Sequence, residues 1–279
     1  MPSNLNIPFV KAGGCGNDFL LIDSLHAPQG AAARAELSRT LCNRRNGMGA
    51  DGVEWMFPEV GNKDESDIRV VLINSDGSEA EVSGNGTRCV AALLADQRNL
   101  TQVRVRTGAG IKSCMLTARH GHEFEFEAAM GRPTINEILT LPIFDSPGDT
   151  PLQGIPLSMG NPQFVVFVEE FCAGWQARAT LIQAQPNFAD GVNVDMVRIL
   201  DRHTVESRFF ERGAGETLSS GTGSCASAVA AITAGHCDSP VQVIAPGGSQ
   251  TVRWEDEVYL RGPAQLIARG EFLVPEARP

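Results

Sequence analysis

The sequence lacks the features of membrane, exported and nucleic-acid-binding proteins. No apolar run approaches the roughly 18 residues that a transmembrane helix needs, so no membrane span is expected. Residues 1–14 do not place an apolar segment after a charged one, and we expect no signal peptide and a cytoplasmic location. The 23 Lys and Arg residues are outnumbered by 33 Asp and Glu, and the formal net charge is −10. No basic stripe is available to neutralise phosphates, so nucleic acid is not an expected partner.

The sequence also lacks the usual signatures of metal and cofactor sites. Its seven cysteines include no C-x-x-C pair, which argues against a zinc knuckle or a redox dithiol and favours reduced thiols. His120 and His122 are close in sequence but have no third ligand nearby. Neither a pyridoxal-binding lysine context, a dinucleotide fingerprint nor the GxxxxGK[ST] spacing is evident. We therefore expect no metal and no cofactor. Cys89 and Cys225 fall inside predicted helices and are expected to be core residues.

A Gly-rich turn before a helix of small residues occurs twice. The first is SGNGT at residues 83–87, and the second is SGTGS at residues 220–224. A helix that begins in this way presents backbone N–H groups and the positive end of its dipole, which favour an anion such as a carboxylate. The two turns lie about half a chain apart. We therefore predict two similar lobes, each offering a serine and an anion site.

The order of the predicted elements indicates an α/β (α+β) protein with two pseudo-symmetric lobes. Each lobe is predicted to contain many strands and at least one central helix of small residues. Residues 133–157 are rich in Pro, Gly and Asp and are the best candidate for the crossover between the lobes. This gives an N-terminal lobe of residues 1–140 and a C-terminal lobe of residues 141–279.

Polar side chains near the predicted turns could bind a small zwitterion. They are four asparagines, a glutamate and an arginine: Asn17, Asn74, Asn161, Asn193, Glu211 and Arg212. Arginine and backbone N–H groups bind carboxylates, whereas asparagine and glutamate bind ammonium groups. Two opposed groups flanking one carbon would allow a proton to be taken from one face and returned on the other. An α-carboxylate held at helix N-termini would stabilise the charge that develops during this transfer.

Six stretches resemble the diaminopimelate epimerase family of cofactor-independent amino-acid epimerases. They are GCGNDFLLID, NGMGADG, NSDGSEAEVSGNGTRC, MGNPQ, GVNV and ERGAGETLSSGTGSCASA, in matching order over essentially the whole length. The resemblance implies two lobes of like α/β fold, each wrapping strands around a central helix, with the substrate held between them. It implies epimerisation of LL-diaminopimelate to meso-diaminopimelate, a lysine and peptidoglycan precursor, by two-base proton transfer at Cα. The implied partner is a small amino acid, and a homodimer is left open.

The resemblance also assigns roles to individual residues. Those implied to bind the distal and α groups of the substrate are Asn17, Asn74, Asn161, Asn193, Glu211 and Arg212. Those implied to hold the α-carboxylate are Gly84, Asn85, Gly221 and Thr222. Ser83 and Ser220 occupy the two base/acid positions, and we expect Glu211 to support Ser220.

The chain departs from the family at the positions that carry the chemistry. The family has cysteines where this chain has Ser83 and Ser220, and usually a histidine where it has Gln163. A thiol at a helix N-terminus can have its pKa lowered toward neutrality, whereas a serine hydroxyl needs a neighbouring base. Four interpretations stay open. The serines were engineered to trap a closed complex, they support a slower natural epimerisation with Glu211, the substrate has a more acidic C–H, or the protein binds an amino acid without catalysis.

Overall fold

The computed structural model describes residues 6–59, 66–144 and 151–274, and the chain forms two compact units. Unit 1 comprises Met1–Ala128 and Gly262–Pro279, and unit 2 comprises Ala129–Arg261. The division predicted at residue 140 differs from this one, because residues 262–279 return to unit 1. The physical reason is strand pairing, since the second half of the last strand pairs with the first strand of the chain. Parts of the predicted crossover (145–150) and of the N-terminal segment (1–5) lie outside the described residues.

Unit 1 consists mainly of strands, numbered here in chain order. Its strands are β1 (Asn6–Gly14), β2 (Asn17–Asp23), β3 (Gly52–Phe57), β4 (Ile68–Asn74), β5 (Glu79–Ala80), β6 (Gln102–Thr107), β7 (Gly110–His120), the first part of β8 (Glu123–Gly131) and the second part of β18 (Val258–Leu273). Its helices are α1 (Ala31–Cys42) and α2 (Gly84–Arg98), with a 3-10 turn at Ser24–His26.

The strands of unit 1 form a sheet that closes on itself. β1 pairs antiparallel with β2, β2 parallel with β3, β3 antiparallel with β4, and β4 parallel with β6. β6, β7 and β8 follow as an antiparallel meander. β18 then pairs with both β8 and β1, which completes the ring.

Helix α2 is the core of unit 1. Residues 85–95 of this helix are all buried, as expected for a helix surrounded by strands on every side. Its alanines and Cys89 allow close approach, and it packs against strand residues such as Phe19, Leu72 and Phe126. Cys89 has no exposed surface, which confirms the prediction that it is a core residue. The predicted central helix of small residues is therefore present in this unit.

Unit 2 has a similar set of elements. Its strands are β9 (Thr134–Ile135), β10 (Leu139–Leu141), β11 (Leu152–Ser158), β12 (Pro162–Phe167), β13 (Asn193–Asp201), β14 (Thr204–Glu211), β15 (Gly215–Thr217), β16 (Val241–Ala245), β17 (Gly248–Trp254) and the first part of β18. Its helices are α3 (Trp175–Gln183) and α4 (Gly221–Thr233), with a 3-10 turn at Pro186–Phe188.

The sheet of unit 2 repeats the pairing pattern of unit 1. β11 pairs antiparallel with β12, β12 parallel with β13, β13 antiparallel with β14, and β14 parallel with β16. β16, β17 and β18 complete an antiparallel meander. Helix α4 follows the β14–β15 hairpin as α2 follows the β4–β5 hairpin, and residues 223–231 are buried among strand side chains such as Val165 and Phe209. Cys225 is fully buried in this helix, as predicted. The two units therefore share one fold.

The remaining two helices pack on the outer faces of the sheets. In unit 1, Leu41 of α1 belongs to a core cluster with Trp55, whose Nε1 donates to Ser38 Oγ at 3.0 Å. In unit 2, Ala179 and Ile182 of α3 pack within a separate core cluster. No helix within the described part of the chain is long and apolar enough to cross a membrane.

Candidate active site

Each central helix begins with a serine that caps it. Ser83 has φ −122° and ψ 123°, and its Oγ accepts a hydrogen bond from the Gly86 N–H at 3.1 Å. Ser220 has φ −140° and ψ 125°, and its Oγ accepts from the Gly223 N–H at 3.1 Å. In both cases the cap satisfies one N–H of the first turn, and the positive end of the helix dipole lies at the serine. Ser83 is half-buried, whereas Ser220 is 7% exposed.

Asn17 and Asn85 lie together at the start of α2. Asn85 Nδ2 donates to Asn17 Oδ1 at 2.8 Å, and Asn17 Nδ2 donates to Asp51 Oδ2 at 3.0 Å. Arg88 donates to Asn85 Oδ1, and its Nε donates to the Pro263 carbonyl oxygen at 3.2 Å. The network fixes the orientation of both asparagine amides beside the first turn of the helix.

Asn74 ends β4 and is bonded to the turn that follows. Its Nδ2 donates to Ser78 Oγ at 3.0 Å, and its backbone N–H donates to the Ser78 carbonyl at 2.8 Å. In the sheet it lies opposite Gly52 of β3. The half-buried side chain therefore sits at the strand end that precedes the first Gly-rich turn.

A carboxyl group that the sequence analysis missed lies under the start of α2. Glu54 of β3 is 1% exposed, and its Oε2 has no hydrogen-bond partner among the described residues. A Cβ built on Gly86 would overlap Glu54 Oε1 and would lie 3.3 Å from Ser83 Cβ. Burial raises the pKa of Glu54 to about 8. The available signal was a glutamate inside the otherwise apolar strand GVEWMF.

At the start of α4, Ser220 is hydrogen bonded to a carboxylate. Its hydroxyl donates to Glu211, the last residue of β14. Burial raises the pKa of Glu211, and the hydrogen bond from Ser220 opposes this rise by stabilising the carboxylate. The structure thus brings together the two residues that the sequence analysis associated.

Asn161, Gln163 and Thr222 form a connected set beside Ser220. Gln163 Nε2 donates to Asn161 Oδ1 at 2.9 Å and to Thr222 Oγ1 at 3.1 Å, while Asn161 Nδ2 donates to Thr222 Oγ1 at 3.2 Å. Gln163 is 1% exposed, and its Oε1 has no partner among the described residues. Because an amide does not titrate near neutral pH, Gln163 orients its two neighbours and does not transfer protons.

Asn193 and Arg212 are tied mainly to the backbone. Asn193 Nδ2 donates to the Pro162 carbonyl at 3.0 Å, and its Oδ1 accepts from the Arg212 N–H at 2.9 Å. The exposed Arg212 guanidinium donates to the Asp190 carbonyl at 2.7 Å. In this structure Asn193 therefore joins β12 to the end of β14.

A second buried carboxyl group, also missed by the sequence analysis, lies under the start of α4. Asp195 of β13 is 1% exposed, and its Oδ1 is 2.8 Å from the position of a Cβ on Gly223. Its Oδ2 has no partner among the residues described. Burial raises the pKa of Asp195 well above its usual range, and the nearby charge of Glu211 raises it further. Each unit thus combines a capping serine with a buried carboxyl group under the third residue of the helix.

Among the described residues, no group of three His, Cys, Asp or Glu is arranged as a metal site.

Several solved structures share this fold. A phenazine biosynthesis protein of the PhzF family from Bacillus anthracis matches with a TM-score of 0.69 at 15% identity, over 96% of this chain and 99% of that chain. A hydroxyproline epimerase from Agrobacterium vitis matches with a TM-score of 0.66 at 14% identity, over 96% and 91%. A methylitaconate-delta-isomerase gives 0.70 at 12% identity, over 99% and 98%. At these identities the likeness establishes the fold.

Sequence similarity establishes the family. A profile of the diaminopimelate epimerase family matches residues 9–135 and 156–267. The diaminopimelate epimerase of Carboxydothermus hydrogenoformans is 34% identical over 280 residues, covering 95% of this chain and 99% of the relative. That of Desulfitobacterium hafniense is 35% identical over 279 residues, covering 95% and 97%. The chain belongs to the diaminopimelate epimerase family.

Proposed function

We propose that this protein is a cofactor-independent epimerase that converts LL-diaminopimelate to meso-diaminopimelate. The observation that carries the proposal is the repeated helix start, with Ser83 and Ser220 as caps, in a chain similar to diaminopimelate epimerases over 95% of its length. The reaction would supply a lysine and peptidoglycan precursor in the cytoplasm. It would need no pyridoxal phosphate, because the helix starts that hold the α-carboxylate would stabilise the negative charge that develops when the Cα proton leaves.

The helix starts suit the α-carboxylate of the substrate. Residues proposed to hold it are Gly84, Asn85, Gly221 and Thr222. In each unit, the N-terminus of the central helix favours a bound negative charge, and the charge on the carboxylate increases when the Cα proton leaves. Residues proposed to bind the other polar groups are Asn17, Asn74, Asn161, Asn193, Glu211 and Arg212.

The Ser220–Glu211 hydrogen bond provides one proton-accepting pair. When the Cα–H bond breaks, the proton passes to Ser220 Oγ as the serine's own proton passes to the Glu211 carboxylate. The electron pair left on Cα is delocalised toward the α-carboxylate. Ser83 then donates its hydroxyl proton to the opposite face of Cα, which inverts the centre. The raised pKa of Glu211 makes it a stronger proton acceptor than an ordinary glutamate.

A second candidate function is isomerisation of another small carboxylate substrate. The presence of a serine hydroxyl at both helix caps favours this candidate. A hydroxyl is a weaker proton acceptor than a thiolate, so a substrate with a more acidic C–H would suit it better.

Proton NMR in D2O with LL- and meso-diaminopimelate tests the proposal. We expect the protein to exchange the Cα proton for deuterium and to interconvert the two isomers, and Ser83→Cys/Ser220→Cys to do so faster. Ser83→Ala/Ser220→Ala is the matched control and should show no exchange. If the protein and the double-cysteine variant are both folded and both silent, the substrate assignment is wrong. Exchange by the double-cysteine variant alone would show that the substrate is right and that the chain with two serines is a disabled or trapped form.

A further inference from the structure

Building on the proposed function, we propose that Glu54 is a positioning residue that accepts the hydroxyl proton of Ser83. The protein would then use two serine–carboxylate pairs, Ser83 with Glu54 and Ser220 with Glu211. The pairs differ in geometry, because Glu211 lies at the end of a strand and Glu54 lies two residues into β3, under the helix.

Unit 1 lacks a carboxyl group at the place where unit 2 has Glu211. Asn74 ends β4 before the β4–β5 hairpin, as Glu211 ends β14 before the β14–β15 hairpin. An amide cannot accept the serine proton. The carboxylates of Asp18 and Asp51, near the start of β2 and just before β3, are both paired with Arg44. Glu54 has no such ion pair among the described residues.

Glu54 and Ser83 both border Gly86. Both the Glu54 carboxyl and Ser83 Cβ border the space where a Cβ of residue 86 would lie, with Glu54 Cδ at 3.1 Å and Ser83 Cβ at 3.3 Å from that point. The Gly86 N–H in turn donates to Ser83 Oγ. A residue with a side chain at position 86 would separate the two groups. The glycine therefore leaves space between the carboxyl group and the serine that no side chain fills.

Among the described residues, none provides a counter-ion for Glu54. Its neighbours across the sheet are Leu21 of β2 and Leu72 of β4, which are apolar. From α2, the nearby titratable group is the buried Cys89 thiol, whose pKa is raised by its own burial. The Arg88 guanidinium is directed to Asn85 and to the carbonyl of residue 263. A carboxylate held in this way gains stability by taking up a proton.

The proposed step is balanced in protons. As Ser83 Oγ takes the Cα proton of the substrate, the Ser83 hydroxyl proton passes to the Glu54 carboxylate. In the reverse direction the protonated Glu54 returns its proton to Ser83 Oγ as the hydroxyl protonates Cα. No oxidant, reductant or further reactant takes part.

The proposed pairing of residues 54 and 83 can be tested without substrate. In Ser83→Cys/Cys172→Ser, which replaces the exposed Cys172, the alkylation rate of Cys at position 83 by iodoacetamide is measured against pH by peptide mass spectrometry. Adding Glu54→Gln should lower the pKa of this thiol, because an ionised carboxylate no longer opposes the thiolate. Glu79→Gln, which changes an exposed glutamate of β5, is the control and should not alter it. An unchanged thiol pKa with Glu54→Gln would overturn the proposal.

Activity measurements complete the test. With Ser83 present, Glu54→Gln should lower kcat about 100-fold. It should also remove the ionisation of residue 54 from the dependence of kcat on pH. Glu54→Asp, which keeps a carboxyl group, should retain part of the activity. In the Ser83→Cys background the same change should have little effect, because a thiol at a helix start forms its own base. Equal losses in both backgrounds would show a structural role and would overturn the proposal. If Glu54→Gln shifts the pKa of the thiol at position 83 but the protein is inactive on both diaminopimelate isomers, the pairing of residues 54 and 83 stands and the proposed substrate is wrong.

Discussion

Because Gly86 has no side chain, the Glu54 carboxyl group can occupy the space beside its Cα. A Cβ at position 86 would overlap Glu54 Oε1, and the two residues belong to different elements, the first turn of α2 and the strand β3. The helix start can therefore sit directly on a buried carboxyl group only while residue 86 is glycine.

Gly86→Ala should destabilise the protein by about 1–3 kcal/mol and lower epimerase activity, because the new methyl group displaces Glu54 or the first turn of the helix. Urea denaturation measures the change in the free energy of unfolding. The matched control is Gly84→Ala, two residues earlier, where a Cβ would lie 3.9 Å from an Arg88 nitrogen, an ordinary contact. If the two variants were equally stable, the Glu54 carboxyl would not lie against Gly86.

The ionisation of Glu54 should make stability depend on pH. The native pKa of about 8 lies above the ordinary value of 4.5, so the native state keeps the proton that the unfolded state releases. This contribution to stability is complete below about pH 4.5 and is lost as the pH rises to about 8. A shift of this size corresponds to a loss on the order of 5 kcal/mol.

Glu54→Gln should remove that pH dependence. Relative to the unchanged protein, the variant should gain stability as the pH is raised from 5.5 to 8.5, measured by urea denaturation at each pH. Glu79→Gln, at an exposed position, should follow the unchanged protein. Parallel pH profiles for the protein and Glu54→Gln would contradict a buried, uncompensated carboxyl group at this position.

Removing the Ser220 hydroxyl should raise the pKa of Glu211. The hydrogen bond from Ser220 favours the charged form of this buried carboxyl group and lowers its pKa. In Ser220→Ala this lowering effect is lost, whereas the rise in pKa caused by burial remains. Carbon-13 NMR of the glutamate carboxyl groups would follow the titration. Ser83→Ala, the equivalent change in the other unit, should leave the Glu211 titration unchanged. A lower Glu211 pKa in Ser220→Ala would show that the two side chains do not share this bond.

Thr222→Val should disturb the start of α4. Thr222 Oγ1 accepts from both Asn161 and Gln163, and valine has nearly the same shape without an acceptor. Loss of the acceptor should cost about 1–3 kcal/mol of stability and raise the KM for diaminopimelate more than it lowers kcat. Thr222→Ser, which keeps the hydroxyl, should preserve KM. A normal KM in Thr222→Val would indicate that this residue does not orient the substrate carboxylate.

Local chemistry explains how much of the fold the sequence predicted. Both central helices follow from a serine, a Gly-rich turn and a run of small residues, which are properties of adjacent positions. The sequence predicts a division at residue 140, whereas the structure divides the chain after Ala128 and again after Arg261. The observed division depends on a strand pairing across more than 200 residues, because Leu273 of β18 pairs with Asn6 of β1. The sequence of a strand does not by itself indicate which other strand it pairs with.

The candidate site shows the same contrast. The positions of Ser83 and Ser220 at helix starts can be predicted because each caps a helix, and the bond between Ser220 and Glu211 joins two residues close in sequence. The placement of Glu54 and Asp195 under the helices cannot be predicted from the sequence, because it depends on which face of a strand meets the helix. A shift of one residue in register would place each carboxyl on the opposite face of its sheet.

The path of β18 has a consequence for the order in which the chain can fold during its synthesis. Residues 129–261 include the strands described for unit 2 and emerge from the ribosome as one continuous segment. The sheet of unit 1 is completed later, because β1 pairs with residues 265–273 and these are translated after all of unit 2. The half of the molecule made first is therefore the half completed last, and until then α2 lacks one side of its enclosing ring.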